Sequence, residues 1–491
     1  MRIIIFIISS LLMFQTVLSN DLTQLTQESK NYGYSGEQYL QEHNYAKAII
    51  VTRKAIFKAQ EANALAWLIK WQWQLGRIFI GQNKTNQAID VLSRAVEILV
   101  PSRKTFGWEM TKCNLSNDIY PKLRPLFFEL IDLLLQRATK QDLQHAVDTI
   151  EQLKTADIEH YFSNCINIPS QKTIVLDSKT AVIYPLLLDK RLELLISSNN
   201  IIRQFTIIVT RDEVVNTVKK FRDALLIGYD DEKNTDYLIY AQQLYKWLIE
   251  PLQAELKQID TIVFVPEGIL NMLPMAALHD GEQFLIKNYA VAMTPSLNLT
   301  DLRPNSLTNQ KILVNGLTDE LDYAEREVNA IGKIYSNTEN LLNEQFTVNN
   351  FKQAIKKSSY DLVHIVSHAE FAANVKDSFI VTNDGKLKFT TKLFNKSIEL
   401  LTLSACNTAT GDNEWEALGL SGIAVQAGAK SSLATLWKAH DKTTYFLIKY
   451  FYKYKLSNSK ARALQLSQQK FIKSGYHPFF WADFVLIGNW L

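Results

Sequence analysis

From about residue 21 to residue 170, apolar side chains recur at three- and four-residue spacing and strand-like runs are few, which predicts amphipathic helices. Compared with itself, this stretch matches at an offset of 40 residues: Gly36 with Gly76, Tyr39 with Phe79, Ala48 with Ala88, and Ala55 with Ala95. Small residues at repeating places let paired helices approach closely, so the pattern predicts a helical repeat array with extended helices. A third unit is blurred, with Leu130 to Leu135 and Gln144 to Val147 as its candidates. Each repeat buries its apolar face on the next, so two clear units are marginal alone and the array is expected to dock on the rest of the chain.

After residue 171 the pattern changes to short apolar runs separated by polar segments. Thr173 to Leu176, Leu192 to Ile196, Phe205 to Val209 and Thr261 to Val265 read as strands, and Asp212 to Leu226 as a helix. From about residue 305 strand and helix alternate more regularly. Ile312 to Val314 is a strand, Tyr323 to Ile334 a helix, and Thr347 to Lys356 a helix opened by Thr347 as its cap. Two apolar strands follow, then a helix from Glu416 to Gln426, strands at Ser432 to Leu436 and Phe484 to Ile487, and helices near Thr443 to Tyr454 and Ser459 to Ser474. Such alternation predicts a mostly parallel sheet with helices on both faces. The expected layout is a leader over residues 1–20, helical repeats over 21–170, an α/β segment over 171–304, and a second α/β segment over 305–491.

The leader reading rests on Met1-Arg2, the apolar run Ile3 to Ile8, Leu11 to Phe14, and the small residue Ser19. That order predicts a secretory signal peptide cleaved near Ser19 or Asn20, and a periplasmic or secreted protein. No other segment approaches 18 uninterrupted apolar residues, so no stable membrane anchor is expected once the leader is removed. With 491 residues, 47% of them apolar, the chain can fill the cores of two or three domains. Its formal charge of +3 and the lack of a basic run interleaved with aromatics argue against nucleic acid as a partner. The cysteines are Cys113, Cys165 and Cys406, an odd number that leaves at least one thiol free in an exported protein. Cys113 and Cys165 either pair or remain two buried reduced thiols.

The two apolar strands of the second half carry the chemistry. Asp361 to Ser367 leads to His368, and Ile398 to Ala405 leads to Cys406, so each strand ends on a reactive side chain. Parallel neighbours lie about 4.8 Å apart and open their crevice beyond the carboxyl ends, so adjacent strands would bring His368 and Cys406 together. An imidazole beside a thiol can hold its proton and stabilise the thiolate. His364 reads differently: four residues of strand span about 13 Å, too far for His364 and His368 to share a metal, so it is assigned a structural place inside the strand. No Gly-rich loop ending in Gly-Lys-Ser/Thr, no Gly-x-Ser-x-Gly elbow and no His-Glu-x-x-His helix is present, and no cofactor or metal is expected.

These segments resemble the active-site motifs of the CHAT family, caspase-like peptidase domains that adjoin tetratricopeptide repeats. The similarity continues through Val265-Pro266-Glu267-Gly268-Ile269-Leu270, Leu273-Pro274, Glu416-Ala417-Leu418-Gly419-Leu420, Ala427-Gly428-Ala429, Ala434-Thr435-Leu436-Trp437 with Asp441, and Phe480 to Gly488. It covers roughly residues 175 to 491, with 151–162 similar to the segment that joins repeats to the peptidase part. The resemblance implies an α/β caspase-like sheet following all-α tetratricopeptide-like repeats, an inactive supporting half, and a latent enzyme. It also implies Cys406 as nucleophile, His368 as general base, and an oxyanion held by the backbone N–H groups of Cys406 and Ala369. Where the family usually has Gly after the His, this chain has Ala369, which keeps the N–H but suits the place only if φ is negative. Asp412, Glu414 and Glu416, in the loop after the nucleophile, are candidates for a substrate pocket that pairs with a basic residue, or else an ordinary helix start. The expected function is an exported cysteine endopeptidase acting on protein substrates, its repeats binding a protein partner or regulating activity. The other reading is a non-catalytic interaction scaffold built from the same parts.

Overall fold

The computed structural model describes residues 2–102, 120–162, 176–303, 309–320, 322–372, 375–388, 393–394, 397–404, 406–408, 422 and 427–491. The chain divides into two compact units, residues 1–156 with 163–165, and residues 157–162 with 166–491.

The first unit is helical, as its spacing predicts. It contains α1 (Arg2–Gln41), α2 (Tyr45–Glu61), α3 (Leu65–Gly81), α4 (Thr85–Ser102), α5 (Tyr120–Arg137) and most of α6 (Lys140–Phe162). Helices α2, α3 and α4 start 20 residues apart, at Tyr45, Leu65 and Thr85, so a helix pair spans the 40-residue period. The helices stop at His43, Asn63 and Asn83, whose φ values of 56°, 49° and 57° reverse the chain; Asn tolerates that region better than most residues. The next N–H then reaches back to the last turn, as in Ala64 N to Ala59 O and Lys84 N to Phe79 O at 2.8 and 2.9 Å. The repeating small residues Ala48, Ala55, Ala88 and Ala95 are fully buried. A Cβ on Gly36 would lie 2.4 Å from both Gln74 and Thr52, so the close approach of these helices needs glycine. Ser29, buried in the seam, is satisfied: its Oγ donates to Ala55 O at 2.8 Å and accepts from Trp71 Nε1 at 3.0 Å. No described helix is long and apolar enough to cross a membrane.

The second unit is built on one large sheet. Its first strands and helices are β1 (Thr180–Leu187), β2 (Leu192–Ser198), β3 (Ile201–Ile207), α7 (Arg211–Ile227), α8 (Tyr237–Leu248), α9 (Gln253–Leu256), β4 (Thr261–Phe264) and β5 (Ala290–Met293). Then come β6 (Ile312–Gly316), α10 (Ala324–Ile334), β7 (Thr338–Leu342), α11 (Val348–Lys357), β8 (Leu362–Val366), β9 (Ala369–Phe371), β10 (Phe379–Thr382) and β11 (Gly385–Lys388). The last are β12 (Leu400–Leu403), β13 (Cys406–Thr408), β14 (Ser431–Thr435), α12 (Asp441–Lys455), α13 (Lys460–Lys473) and β15 (Phe484–Gly488). The 11-stranded sheet runs β3-β2-β1-β4-β5-β15-β14-β12-β8-β6-β7. Only β1–β2, β2–β3 and β14–β15 pair antiparallel among its described strands; the rest are parallel. Strands β1, β6, β8, β14 and β15 are buried along their whole length and the edge strands β3 and β7 are not, as expected of a sheet covered by helices on both faces.

Helix starts follow their caps. Thr210 and Glu213 form a reciprocal capping box at α7, Thr347 caps α11, and Ser459 caps α13. Strand β1 is absent from the expectation: its sequence is an unbroken buried run containing Pro185, without the alternation that marks a half-exposed strand. The strand expected at Thr173 to Leu176 lies outside the described residues apart from Leu176, and the helix expected at Glu416 to Gln426 apart from Gly422.

Candidate functional site

Strands β8 and β12 are direct parallel neighbours, with His364 opposite Thr402 and Ile365 opposite Leu403. Beyond their carboxyl ends both chains leave the large sheet and enter a second, four-stranded one of order β11-β10-β9-β13. There Cys406 is opposite Ala369. From Leu403 to Cys406 is three residues, whereas from Ile365 to Ala369 is four, so the strand bearing His368 carries one extra residue across the corner. An extra residue of this kind breaks the ladder locally and re-aims its side chain, as in a β-bulge. The backbone thus brings His368 and Cys406 to adjacent positions at the corner between two sheets.

His368 is half-buried, and its carbonyl accepts the Val381 N–H at 2.8 Å. Ser367 Oγ donates to Val381 O at 2.7 Å, fixing the turn on its other side. Ala369 lies in strand β9 and is not among the residues with positive φ, so its Cβ carries no backbone strain. Ile380 is its antiparallel partner on β10, one place from the bonded His368–Val381 contact. Bonded and non-bonded pairs alternate in such a ladder, so the Ala369 N–H is directed away from β10, toward the strand that begins with Cys406. Asp412, Glu414 and Glu416 lie outside the described residues, as do Cys113 and Cys165.

Below the corner, His364 is inside its strand and fully buried. Its Nε2 lies 2.8 Å from Glu327 Oε1 of α10, and its Nδ1 lies 3.1 Å from the Tyr452 hydroxyl of α12. Tyr452 in turn donates to Thr402 Oγ1 on β12 at 2.9 Å. Burial pushes the Tyr452 hydroxyl well above its usual range, so it stays protonated and able to donate. Glu327, Tyr452 and Thr402 were not singled out by the sequence. The only signal was indirect: a His in a buried strand requires hydrogen-bond partners, but periodicity does not say which distant residues supply them.

Asp441 opens α12 and accepts the Tyr323 N–H at 2.8 Å, tying that helix to the start of α10. Burial raises its carboxyl above the usual range, against the opposing effect of this hydrogen bond. Gly488 ends β15 at φ 93°, where a Cβ would meet Lys430 O at 2.5 Å, so only glycine fits. Among the described residues, no group of three or more His, Cys, Asp or Glu side chains is placed to hold a metal ion.

The family model of the CHAT domain matches residues 238–489. No curated protein matches the chain. Among solved structures, the chain is similar to the separase–securin complex of Saccharomyces cerevisiae, at 10% identity and a TM-score of 0.42, covering 96% of this chain and 54% of that one. It is also similar to the Arg-specific cysteine proteinase gingipain R, at 12% identity and a TM-score of 0.35, covering 57% of this chain and 74% of that one. The chain spans about half the length of the separase-complex chain that it matches.

Proposed function

Since the chain belongs to the CHAT domain family, we propose that it is a caspase-like cysteine endopeptidase in which Cys406 is the nucleophile and His368 the general base. The observation that carries this reading is the backbone register: Cys406 stands opposite Ala369, the residue that follows His368, at the carboxyl ends of neighbouring strands. His368 takes the thiol proton and the thiolate attacks the scissile carbonyl carbon, forming a tetrahedral oxyanion. The N–H groups of Cys406 and Ala369 stabilise that charge. Collapse expels the amine, which leaves with the proton from His368, and water activated by the same imidazole hydrolyses the thioester.

The enzyme acts on protein substrates, is latent until activated, and is exported after cleavage near Ser19 or Asn20. The helical array binds a protein partner, a reading supported by a groove of about 510 Å³ in the first unit whose walls include Trp67, Trp73, Lys70 and Arg77. Aromatic and Arg side chains in a concave surface are the residue types that dominate protein recognition. Asp412, Glu414 and Glu416, which follow the nucleophile in the sequence, supply the charge that selects a basic residue at the cleavage position.

The deciding experiment is alkylation of the purified protein with iodoacetamide across pH, read at each cysteine by mass spectrometry. Cys406 reacts faster than Cys113 and Cys165, and His368→Ala slows it by about a hundredfold near neutral pH. Equal rates at the three thiols, or an unchanged rate in His368→Ala, would leave the non-catalytic scaffold as the reading.

A further inference from the structure

His364 and Thr402 are register partners on β8 and β12, and each lies four residues before a reactive position, His368 and Cys406. Their side chains are bridged by one hydroxyl, that of Tyr452 on α12, which is itself fully buried. Because the hydroxyl donates its one hydrogen to Thr402, it accepts from His364, and Nδ1 of the imidazole carries a hydrogen. The remaining contact, Nε2 to Glu327 at 2.8 Å, then shares one further proton between a base and an acid that are 0% and 2% exposed. The His364 carbonyl accepts from Asn315 on the next strand, β6, at 3.3 Å. Tyr335 packs edge-on against Tyr452, with ring centroids 5.7 Å apart, and closes the site from the end of α10.

We propose that Glu327, His364, Tyr452 and Thr402 form a register clamp that positions His368 against Cys406. The parallel pair has no other polar side-chain bridge between β8 and β12 among the described contacts, and apolar packing alone tolerates small slides. A buried polar chain does not: moving one strand by a residue would leave the imidazole, the hydroxyl or the carboxylate unpaired, each at a cost that the slide does not recover. Only a few residues of chain separate the clamp from the corner, so the offset between Leu403–Cys406 and Ile365–Ala369 is handed on from a fixed origin. The four residues are positioning residues; they act through the dyad and touch no substrate.

This inference rests on the dyad reading, and the test separates the two. Tyr452→Phe keeps the ring and removes only the bridging hydroxyl, while Thr402→Val and Thr402→Ser respectively remove and retain the other end of the bridge. Each variant is compared with the parent for iodoacetamide alkylation of Cys406 against pH and for melting temperature, alone and combined with His368→Ala. Tyr452→Phe and Thr402→Val slow alkylation near neutral pH by about tenfold and move its pH midpoint toward that of an ordinary thiol, since small misplacements of reacting groups are costly. Thr402→Ser restores the parent rate, and in the His368→Ala background the clamp substitutions change nothing further. A lowered melting temperature with an unchanged pH profile overturns the clamp and leaves a purely structural network. The same slowing with and without His368 also overturns it. An unchanged rate in His368→Ala alone overturns the dyad instead. Should Tyr452→Phe fail to fold, the Thr402 pair decides the outcome.

Discussion

Asp483, just before β15, is a buried carboxyl group: it is 2% exposed, and its Oδ1 has no hydrogen-bond partner among the described residues. Burial pushes its pKa up to about 8. In the unfolded chain the group ionises near 3.9, so between about pH 4 and 8 the folded state holds a proton that the unfolded state has lost. The contribution is therefore fully present below about pH 4 and is lost as pH rises through about 8, a change of the order of 5 kcal/mol. Asp483→Asn, which cannot ionise, should flatten this dependence and melt at a higher temperature than the parent at pH 8, measured by calorimetry from pH 5 to pH 8. A parent whose melting temperature does not fall over that range would show that Asp483 finds a partner when ionised. At this scale the sequence singles out His368 and Cys406 as candidates, because a His or a Cys that follows a buried apolar strand stands out against its surroundings. It did not reveal Glu327 or Tyr452, which lie 37 and 88 residues from His364 in the chain and meet it only through the packing of α10 and α12.

Elements were most legible where their periodicity was local. The 40-residue repeat is two helices with two three-residue turns, and every term in it is written within a few residues of where it acts. Strand β1, buried on both faces, has no period to read, and the strands of the four-stranded sheet are only three or four residues long. The repeat makes a prediction about glycine. Gly36 and Gly332 both lie inside helices, where Ala is intrinsically favoured by about 1 kcal/mol. At Gly332 a Cβ meets nothing within 4 Å, so Gly332→Ala should stabilise by that amount. At Gly36 it would collide with Gln74 and Thr52, and Gln74 Nε2 bridges Gly33 O and Thr52 Oγ1 at 3.0 and 2.8 Å. Gly36→Ala should therefore cost about 1–3 kcal/mol despite the better helix former. Urea denaturation followed by circular dichroism compares the two variants, and a stabilised Gly36→Ala would mean that the helix seam yields.

At the scale of the whole molecule, β1 to β5 occupy one side of the large sheet and β6, β7, β8, β12 and β14 the other, and the sequence does not show how the two sets of strands join. The joint is made by β15, the last strand, which lies between β5 of the first half and β14 of the second, parallel to one and antiparallel to the other. Pairing across nearly 200 residues leaves no local trace, although Phe484-Val485-Leu486-Ile487 plainly reads as a buried strand. The consequence is that neither half should close its sheet without the final residues. Phe484, Val485, Leu486 and Ile487 are at most 7% exposed, and each contributes about 1.5–3 kcal/mol by burial. Asn489 adds a hydrogen bond from Nδ2 to Asp301 O at 2.6 Å, and Trp490 is 2% exposed. Together these terms are comparable to the 5–15 kcal/mol that holds a typical domain folded. Truncation after Asp483 should therefore open the sheet on both sides of the missing strand. Hydrogen exchange read by mass spectrometry should lose protection at once in Ala290–Met293 and Ser431–Thr435, while the helices of residues 45–102 keep theirs. Retained protection in either strand would mean that this half closes its own sheet and that β15 only bridges two finished structures.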